Sequence, residues 1–252
     1  MTCLILAGGK GTRLKELSGD LPKPMMPVGQ RPFLEYLVLQ ARGQGVDRIV
    51  LCVGHKAKPI ENYFGDGAGW GVRVAYSEET EPLGTGGALR EGAKLVCEQV
   101  FLAMNGDSYL ETDFSVLLAF HARVASRATI ALAQVENARR FGRVEMDADG
   151  RITCFREKGS DGPGVINAGI YVFDRSMFAG FPAGAVSLER EILPALVGHG
   201  LYGVVALGRF VDIGTLEDYR RLIQYPEIWP WAQRKLRSGD GDADSKQSSF
   251  AY

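Results

Sequence analysis

LILAGGKGTRL, residues 4–14, runs an apolar strand straight into Gly8, Gly9 and Gly11 and then into the cation Arg13. Glycine lets a backbone approach an anion and turn successive N–H groups toward it, so the segment reads as a phosphate-binding turn at the end of a first strand. The order GGxG departs from the dinucleotide pattern GxGxxG, which is followed by an acidic residue about 20 positions on; here the cations Arg13 and Lys23 follow instead. The Gly-Lys-Ser/Thr that closes a P-loop is also absent. Two cations beyond a glycine turn suit a triphosphate attacked at its α-phosphorus, where developing charge needs fixed positive groups. The plainer alternative is a strand-to-helix turn with solvated Arg and Lys.

Outward from this turn, short apolar runs alternate with amphipathic segments. Thr2–Leu6, Arg48–Val53, Val72–Ser77, Val100–Met104 and Thr129–Val135 read as strands, several apolar on both faces. Between them Pro32–Gln44, Lys56–Phe64, Gly86–Val96 and Phe114–Ala125 carry helical spacing. This alternation predicts an α/β fold whose mostly parallel sheet is covered by helices on both faces. From Gly142 the rhythm changes to closely spaced strands, Arg143–Met146, Ile152–Arg156 and Ala168–Phe173, joined by turn chemistry such as DADG at 147–150. A helix over Ser187–Val197, a strand over Leu201–Leu207 and a helix over Thr215–Ile223 complete the pattern. No linker-like composition interrupts residues 1–225, which predicts one domain with its later strands inserted beside the main sheet. Its nucleotide-binding part spans about 1–135 and its second part about 136–225, before an extension over 226–252.

Composition narrows the classes. Of 252 residues 46% are hydrophobic, enough for a sizeable core. Lys plus Arg number 29 against 30 Asp plus Glu, so no global positive field exists to gather nucleic acid or an anionic membrane. Cys3, Cys52, Cys97 and Cys154 form no CxxC pair and read as reduced thiols of a cytoplasmic protein. The apolar start is too short for a signal peptide or a membrane span. His55, His121 and His199 have no metal-ligand spacing. Ser238–Ser249 is polar enough to predict a disordered tail. Trp229 and Trp231, beside Pro226 and Pro230, could cover the domain or help a homodimer pack.

Asn105-Gly106-Asp107 follows the apolar run VFLAM, which places Asp107 at the carboxyl end of a strand, where open α/β sheets put their ligands. A carboxylate there suits Mg2+, which takes one or two carboxylates plus phosphate oxygens and water; a helix cap is the other reading. Asp212, in RFVDIGT after a second strand, has a similar setting, and two carboxylates from distant parts of the chain can clamp one ion. FREK (155–158) alone is a charged strand end, and Gly142 in RFGRV is equally well a turn glycine.

GGKGTRLKELSGDLPK (8–23) followed by Pro24 resembles the signature of the sugar-1-phosphate nucleotidyltransferases, written GGxGTRL then KP, and five motifs recur in that family's order over about residues 2–225. The resemblance implies a Rossmann-like three-layer α/β/α fold with a mixed, mostly parallel central sheet. It implies Mg2+ as cofactor and transfer of a nucleotidyl group to a sugar 1-phosphate with release of pyrophosphate. Leu6, Ala7, Gly8, Gly9, Gly11, Thr12, Asn105 and Gly106 would contact the nucleotide. Arg13 would hold the leaving pyrophosphate, Lys23 the α-phosphoryl and sugar phosphate groups, and Asp107 with Asp212 the metal. EPLGTGGAL (81–89) would face the base through Glu81 and Gly86, and Glu81 could accept the adjacent N1–H and N2–H of guanine, which favours GTP. Lys158 would hold the sugar phosphate, Glu157 and Asn167 the ring hydroxyls, and Gly142 would lie against the sugar ring.

Within the family, LPKPMMPVGQRPFLEY, NGDSYLETD, RFGRVEMD and INAGIYVF most resemble the guanylyltransferases that act on D-glycero-α-D-manno-heptose 1-phosphate to make GDP-heptose. Mannose 1-phosphate guanylyltransferases and N-acetylmuramate 1-phosphate uridylyltransferases share much of this pattern. A non-catalytic nucleotide-sugar sensor on the same fold is the reading from another class, and the presence of Arg13, Lys23, Asp107, Lys158 and Asp212 argues against it.

Overall fold

A computed structural model describes residues 1–9, 21–54, 56–159, 161–181 and 183–224. Gly11, Thr12, Arg13, His55, Trp229, Trp231 and the polar tail lie outside the described residues.

Seven strands form the central sheet: β1 (Thr2–Leu6), β4 (Arg48–Val53), β5 (Arg73–Glu78), β6 (Val100–Asn105), β8 (Ala128–Val135), β11 (Gly164–Asp174) and β12 (Leu201–Ala206). Their spatial order is β12-β8-β11-β6-β1-β4-β5. All pairings are parallel except the two made by β11, which runs antiparallel to both β6 and β8. The sheet is therefore mixed and mostly parallel, as the alternating pattern predicts. Three two-stranded ribbons flank it: β2 (Pro27–Val28) with β3 (Arg31–Pro32), β7 (Ser108–Leu110) with β13 (Phe210–Asp212), and β9 (Val144–Met146) with β10 (Ile152–Phe155).

Helices close both faces because successive side chains of a strand point to opposite sides. In β1, Cys3 and Ile5 join a core with α1 (Phe33–Gly43), α2 (Ala57–Phe64), α4 (Phe114–Arg123) and α6 (Leu216–Gln224). Leu4 points the other way, into a core with α3 (Gly84–Ala93), the π-helical turn Leu188–Ile192 and the short helix α5 (Leu193–Ala195) that follows it. Phe101, Phe173 and Phe178 pack together in this second core with ring centroids 5.6–6.1 Å apart.

Two sequence expectations change. The helix expected over Ser187–Val197 is a π turn followed by a short helix. Pro194, which has no N–H to donate, lies in that short helix. The strand expected over Ala168–Phe173 extends over Gly164–Asp174 and lies inside the central sheet, because its apolar side chains are buried on both faces. The parallel strands all end on one edge of the sheet, at Leu6, Val53, Glu78, Asn105, Val135 and Ala206, and the antiparallel β11 begins there.

Candidate active site

The carboxyl edge gathers the described residues of the glycine turn and of the Asp107 and Asp212 motifs. Beyond β1, the Ala7 N–H donates to Cys52 O at 2.8 Å. A Cβ on Gly8 would stand 3.0 Å from Gly54 N, so the two backbones lie directly against each other, whereas a Cβ on Gly9 would meet nothing within 4 Å among the described residues. Gly8 thus serves close packing of two strand ends.

Lys23 opens a 3-10 turn, Lys23–Met25, whose Pro24 and Met25 are buried. The turn is held from two sides. A Cβ on Gly106 would meet Leu6 O at 2.2 Å and Pro24 Cγ at 3.3 Å, and the hydroxyl of Tyr219 on α6 donates to Pro27 O at 2.6 Å. Lys23 Nζ then donates to Asp107 Oδ2 at 2.6 Å, with the lysine side chain only 13% exposed.

Asp107 and Asp212 come together through the ribbon β7/β13. Ser108 is the register partner of Asp212, and Asp107 O accepts the Ile213 N–H at 2.9 Å. Asp212 Oδ1 accepts from Gly214 N–H at 2.8 Å and from Arg140 Nη2 at 3.1 Å. Burial, and then the negative charge of Asp107, push the Asp212 carboxyl above its ordinary pKa, while Lys23 and Arg140 pull it down. Two neighbouring carboxylates, one disfavoured as an anion by burial and by the other, are a donor set that a hard divalent cation would relieve, so the residues fit Mg2+. Among the described residues no group of three or more His, Cys, Asp or Glu side chains could hold a metal. Two carboxylates would make up such a set only together with phosphate oxygens and water. Asn105, beside them, has a buried Oδ1 with no hydrogen-bond partner among the described residues.

INAG (166–169) forms a bulge where β11 shifts register against β8, between Asn167 and Ile170. Asn167 shapes it, accepting the Gly169 N–H at 2.9 Å and donating to the Tyr171 hydroxyl at 3.0 Å. A Cβ on Gly169 would meet Ser108 Oγ at 2.5 Å and Asn105 Nδ2 at 2.8 Å, so the bulge presses on the Asn105–Ser108 turn. Gly142, with φ +75°, lies against Arg156 O and Lys158, and Glu157 and Lys158 are exposed after β10. These three therefore form one cluster.

The loop expected to face the base is held by packing against the turn Leu188–Ile192. Gly86 N–H donates to Val186 O at 2.9 Å, and a Cβ there would meet Ile192 Cδ1 at 2.5 Å, so Gly86 packs α3 against the π turn. Glu81 is exposed. Glu79 is the half-buried carboxylate of the loop: its N–H donates to Val53 O at 2.9 Å, beside Gly54 and Gly8, and its Oε2 accepts from Leu83 N–H at 2.9 Å. Burial raises the Glu79 pKa. Sequence alone does not separate the two glutamates, because both sit in one polar loop and only the fold decides which is half-buried. Arg140 is likewise missed, as one cation of an RR pair whose partner carboxylates lie more than 70 residues away.

Residues 2–226 match the model of the nucleotidyl transferase family, and the chain belongs to that family. Among individual proteins, it is 39% identical over 223 residues to mannose-1-phosphate guanylyltransferase of Mycobacterium tuberculosis, covering 86% of this chain and 62% of that one. It is 35% identical over 227 residues to D-glycero-alpha-D-manno-heptose 1-phosphate guanylyltransferase of Aneurinibacillus thermoaerophilus, covering 88% and 96%. The crystal structure of HddC from Yersinia pseudotuberculosis complexed with GMP-PN superposes with a TM-score of 0.79 at 35% identity, covering 88% and 98%. The chain thus spans under two thirds of the mannose relative and nearly the whole of the heptose relative. Among the described residues no helix is long and apolar enough to cross a membrane.

Proposed function

We propose that this chain transfers GMP from GTP to a sugar 1-phosphate, D-glycero-α-D-manno-heptose 1-phosphate, giving GDP-heptose and pyrophosphate. The observation that carries the reading is the meeting of Lys23, Asp107 and Asp212 at the sheet edge beside Gly8 and Gly9. The heptose relative supports the sugar, since this chain matches nearly its whole length. Mannose 1-phosphate is the second reading, favoured by the higher identity to the mannose relative.

A phosphate oxygen of the sugar 1-phosphate attacks the α-phosphorus, the bond from that phosphorus to the β-bridging oxygen breaks, and its electron pair leaves with pyrophosphate. Transfers of this kind depend on positioning and charge neutralisation. Lys23 neutralises the α-phosphoryl and sugar phosphate oxygens once its pairing with Asp107 is exchanged for a ligand. Arg13, outside the described residues, takes the pyrophosphate. Asp107 and Asp212 hold Mg2+, which supplies a template and Lewis acidity when bound. Lys158 holds the sugar phosphate, while Glu157, Asn167 and the Gly142 backbone line the sugar. The cytoplasm, where nucleoside triphosphates are kept, is the compartment this reaction requires.

Pyrophosphate release with Mg2+, measured for GTP, UTP, dTTP, CTP and ATP against heptose, mannose, glucose and N-acetylmuramate 1-phosphates, tests the reading. Release confined to GTP with the manno-heptose is expected, and release with another pair alone would replace the substrate. Silence across the grid with nucleotide still bound would instead indicate a sensor.

Of the two loop glutamates we assign guanine recognition to Glu79, the half-buried one, whose backbone N–H pairs with Val53 O next to Gly54. Glu79→Gln is expected to lower kcat/KM for GTP by about 10–100-fold, the worth of a hydrogen bond to a charged acceptor, with Glu81→Gln near wild type. The reverse order would return the role to Glu81.

A further inference from the structure

We infer that Arg140 is a positioning residue for the divalent cation: it fixes the Asp212 carboxylate by bridging it to Asp218 on α6. The inference deepens the metal assignment above and rests on it.

The guanidinium spans two carboxylates from separate elements. Nη2 donates to Asp212 Oδ1 at 3.1 Å and Nη1 donates to Asp218 Oδ2. Asp218 is itself held at the start of α6, where the Thr215 hydroxyl donates to its Oδ2 and its own N–H returns to Thr215 Oγ1 at 3.3 Å. From below, the guanidinium carbon stands 5.1 Å from the centroid of the Phe141 ring, which packs edge-on against Phe210 at 5.5 Å. Arg140 is thus fixed through two donors and one aromatic face.

Gly214 supplies an independent observation. A Cβ at this position would meet Asp212 Oδ1 at 2.5 Å and Arg140 Nη2 at 3.2 Å, so the glycine of VDIGT leaves the space that the ion pair fills. Its N–H and Arg140 converge on the same oxygen, Oδ1. With one oxygen fixed from two directions, the carboxylate has a single orientation in which its other oxygen remains for a cation. Holding a ligand's orientation before the ion arrives removes an ordering cost from binding, and losing such an outer partner typically weakens a metal site about 10–100-fold. A planar guanidinium can reach both carboxylates at once, which a point ammonium cannot.

The test is Mn2+ binding to the enzyme with GTP and no sugar phosphate, followed by water-proton relaxation, so that no turnover is needed. Arg140→Gln is expected to weaken Mn2+ binding about 10–100-fold, Arg140→Lys to recover only part of it, and Asp218→Asn to lose less than Arg140→Gln. Thermal unfolding of the metal-free variants supplies the structural control. A fall in Tm with an unchanged Mn2+ affinity would show a merely structural arginine and overturn the inference, as would tighter binding in Arg140→Gln. Asp212→Asn separates the two layers of argument. If it leaves Mn2+ binding intact, the metal assignment itself fails; if it abolishes binding while Arg140→Gln does not change it, only the positioning role fails.

Discussion

Asp107→Asn is expected to lower kcat by about 10²–10³-fold, the scale reported for removing one preorganised electrostatic group from a transition state. The side chain touches both halves of the charge system, as acceptor for Lys23 Nζ at 2.6 Å and as the neighbour whose charge raises the Asp212 pKa. Asparagine keeps the shape, and the backbone bond from Ile213 N–H to residue 107 O does not depend on the carboxylate. The substituted protein should therefore fold, with a Tm within a few degrees of wild type. The deficit should persist at saturating Mg2+, because the variant lacks a ligand and an acceptor that concentration cannot restore. Full turnover at high Mg2+ would remove Asp107 from the metal site.

Gly106→Ala is expected to damage stability and turnover together. The added carbon would stand 2.2 Å from the Leu6 carbonyl oxygen, a backbone atom at the last residue of β1 that cannot swing aside as a side chain could. Pro24 Cγ blocks the other direction at 3.3 Å. Overpacking of this kind costs roughly 1–3 kcal/mol or more, which for a chain of this size lowers Tm by about 10 °C at the upper end. Relief can come only by moving the Asn105–Asp107 turn away from β1, and this displaces Asp107 from Lys23. Calorimetry with a pyrophosphate assay checks both effects. An alanine variant with wild-type Tm and rate would show that the turn has slack the structure does not reveal.

Much of the scaffold was legible in the sequence because local patterns carry it. β1 and β4 match their expected bounds, and α2 begins one residue inside its expected start. The apolar runs that are buried on both faces announce a covered sheet, and the motifs at their ends announce the ligand edge. Less legible were features decided by contacts distant in sequence. The short ribbon β7/β13, which brings Asp107 and Asp212 together, has only three residues on each strand and no hairpin turn. The packing of Gly86 depends on Val186 and Ile192, about 100 residues away, which the local sequence does not contain. Glu79 and Glu81 differ in burial and in the hydrogen bond that Glu79 accepts from Leu83 N–H, neither of which the local sequence contains. Family resemblance supplied the pairing of the two aspartates, which spacing along the chain does not contain.

The antiparallel strand β11 has a consequence for how the protein is made. Among the described residues it alone joins β6 to β8 in the central sheet, and its residues 164–174 leave the ribosome some thirty positions after β8 is complete. Until then β6 presents an unpaired edge, and β8, apolar on both faces, has neither of its neighbours in place. Open apolar edges of this kind recruit other chains. The nascent protein therefore passes through an interval of greatest exposure to aggregation between about residues 135 and 174, and slowing translation there should lower the yield of native enzyme more than slowing it before β6.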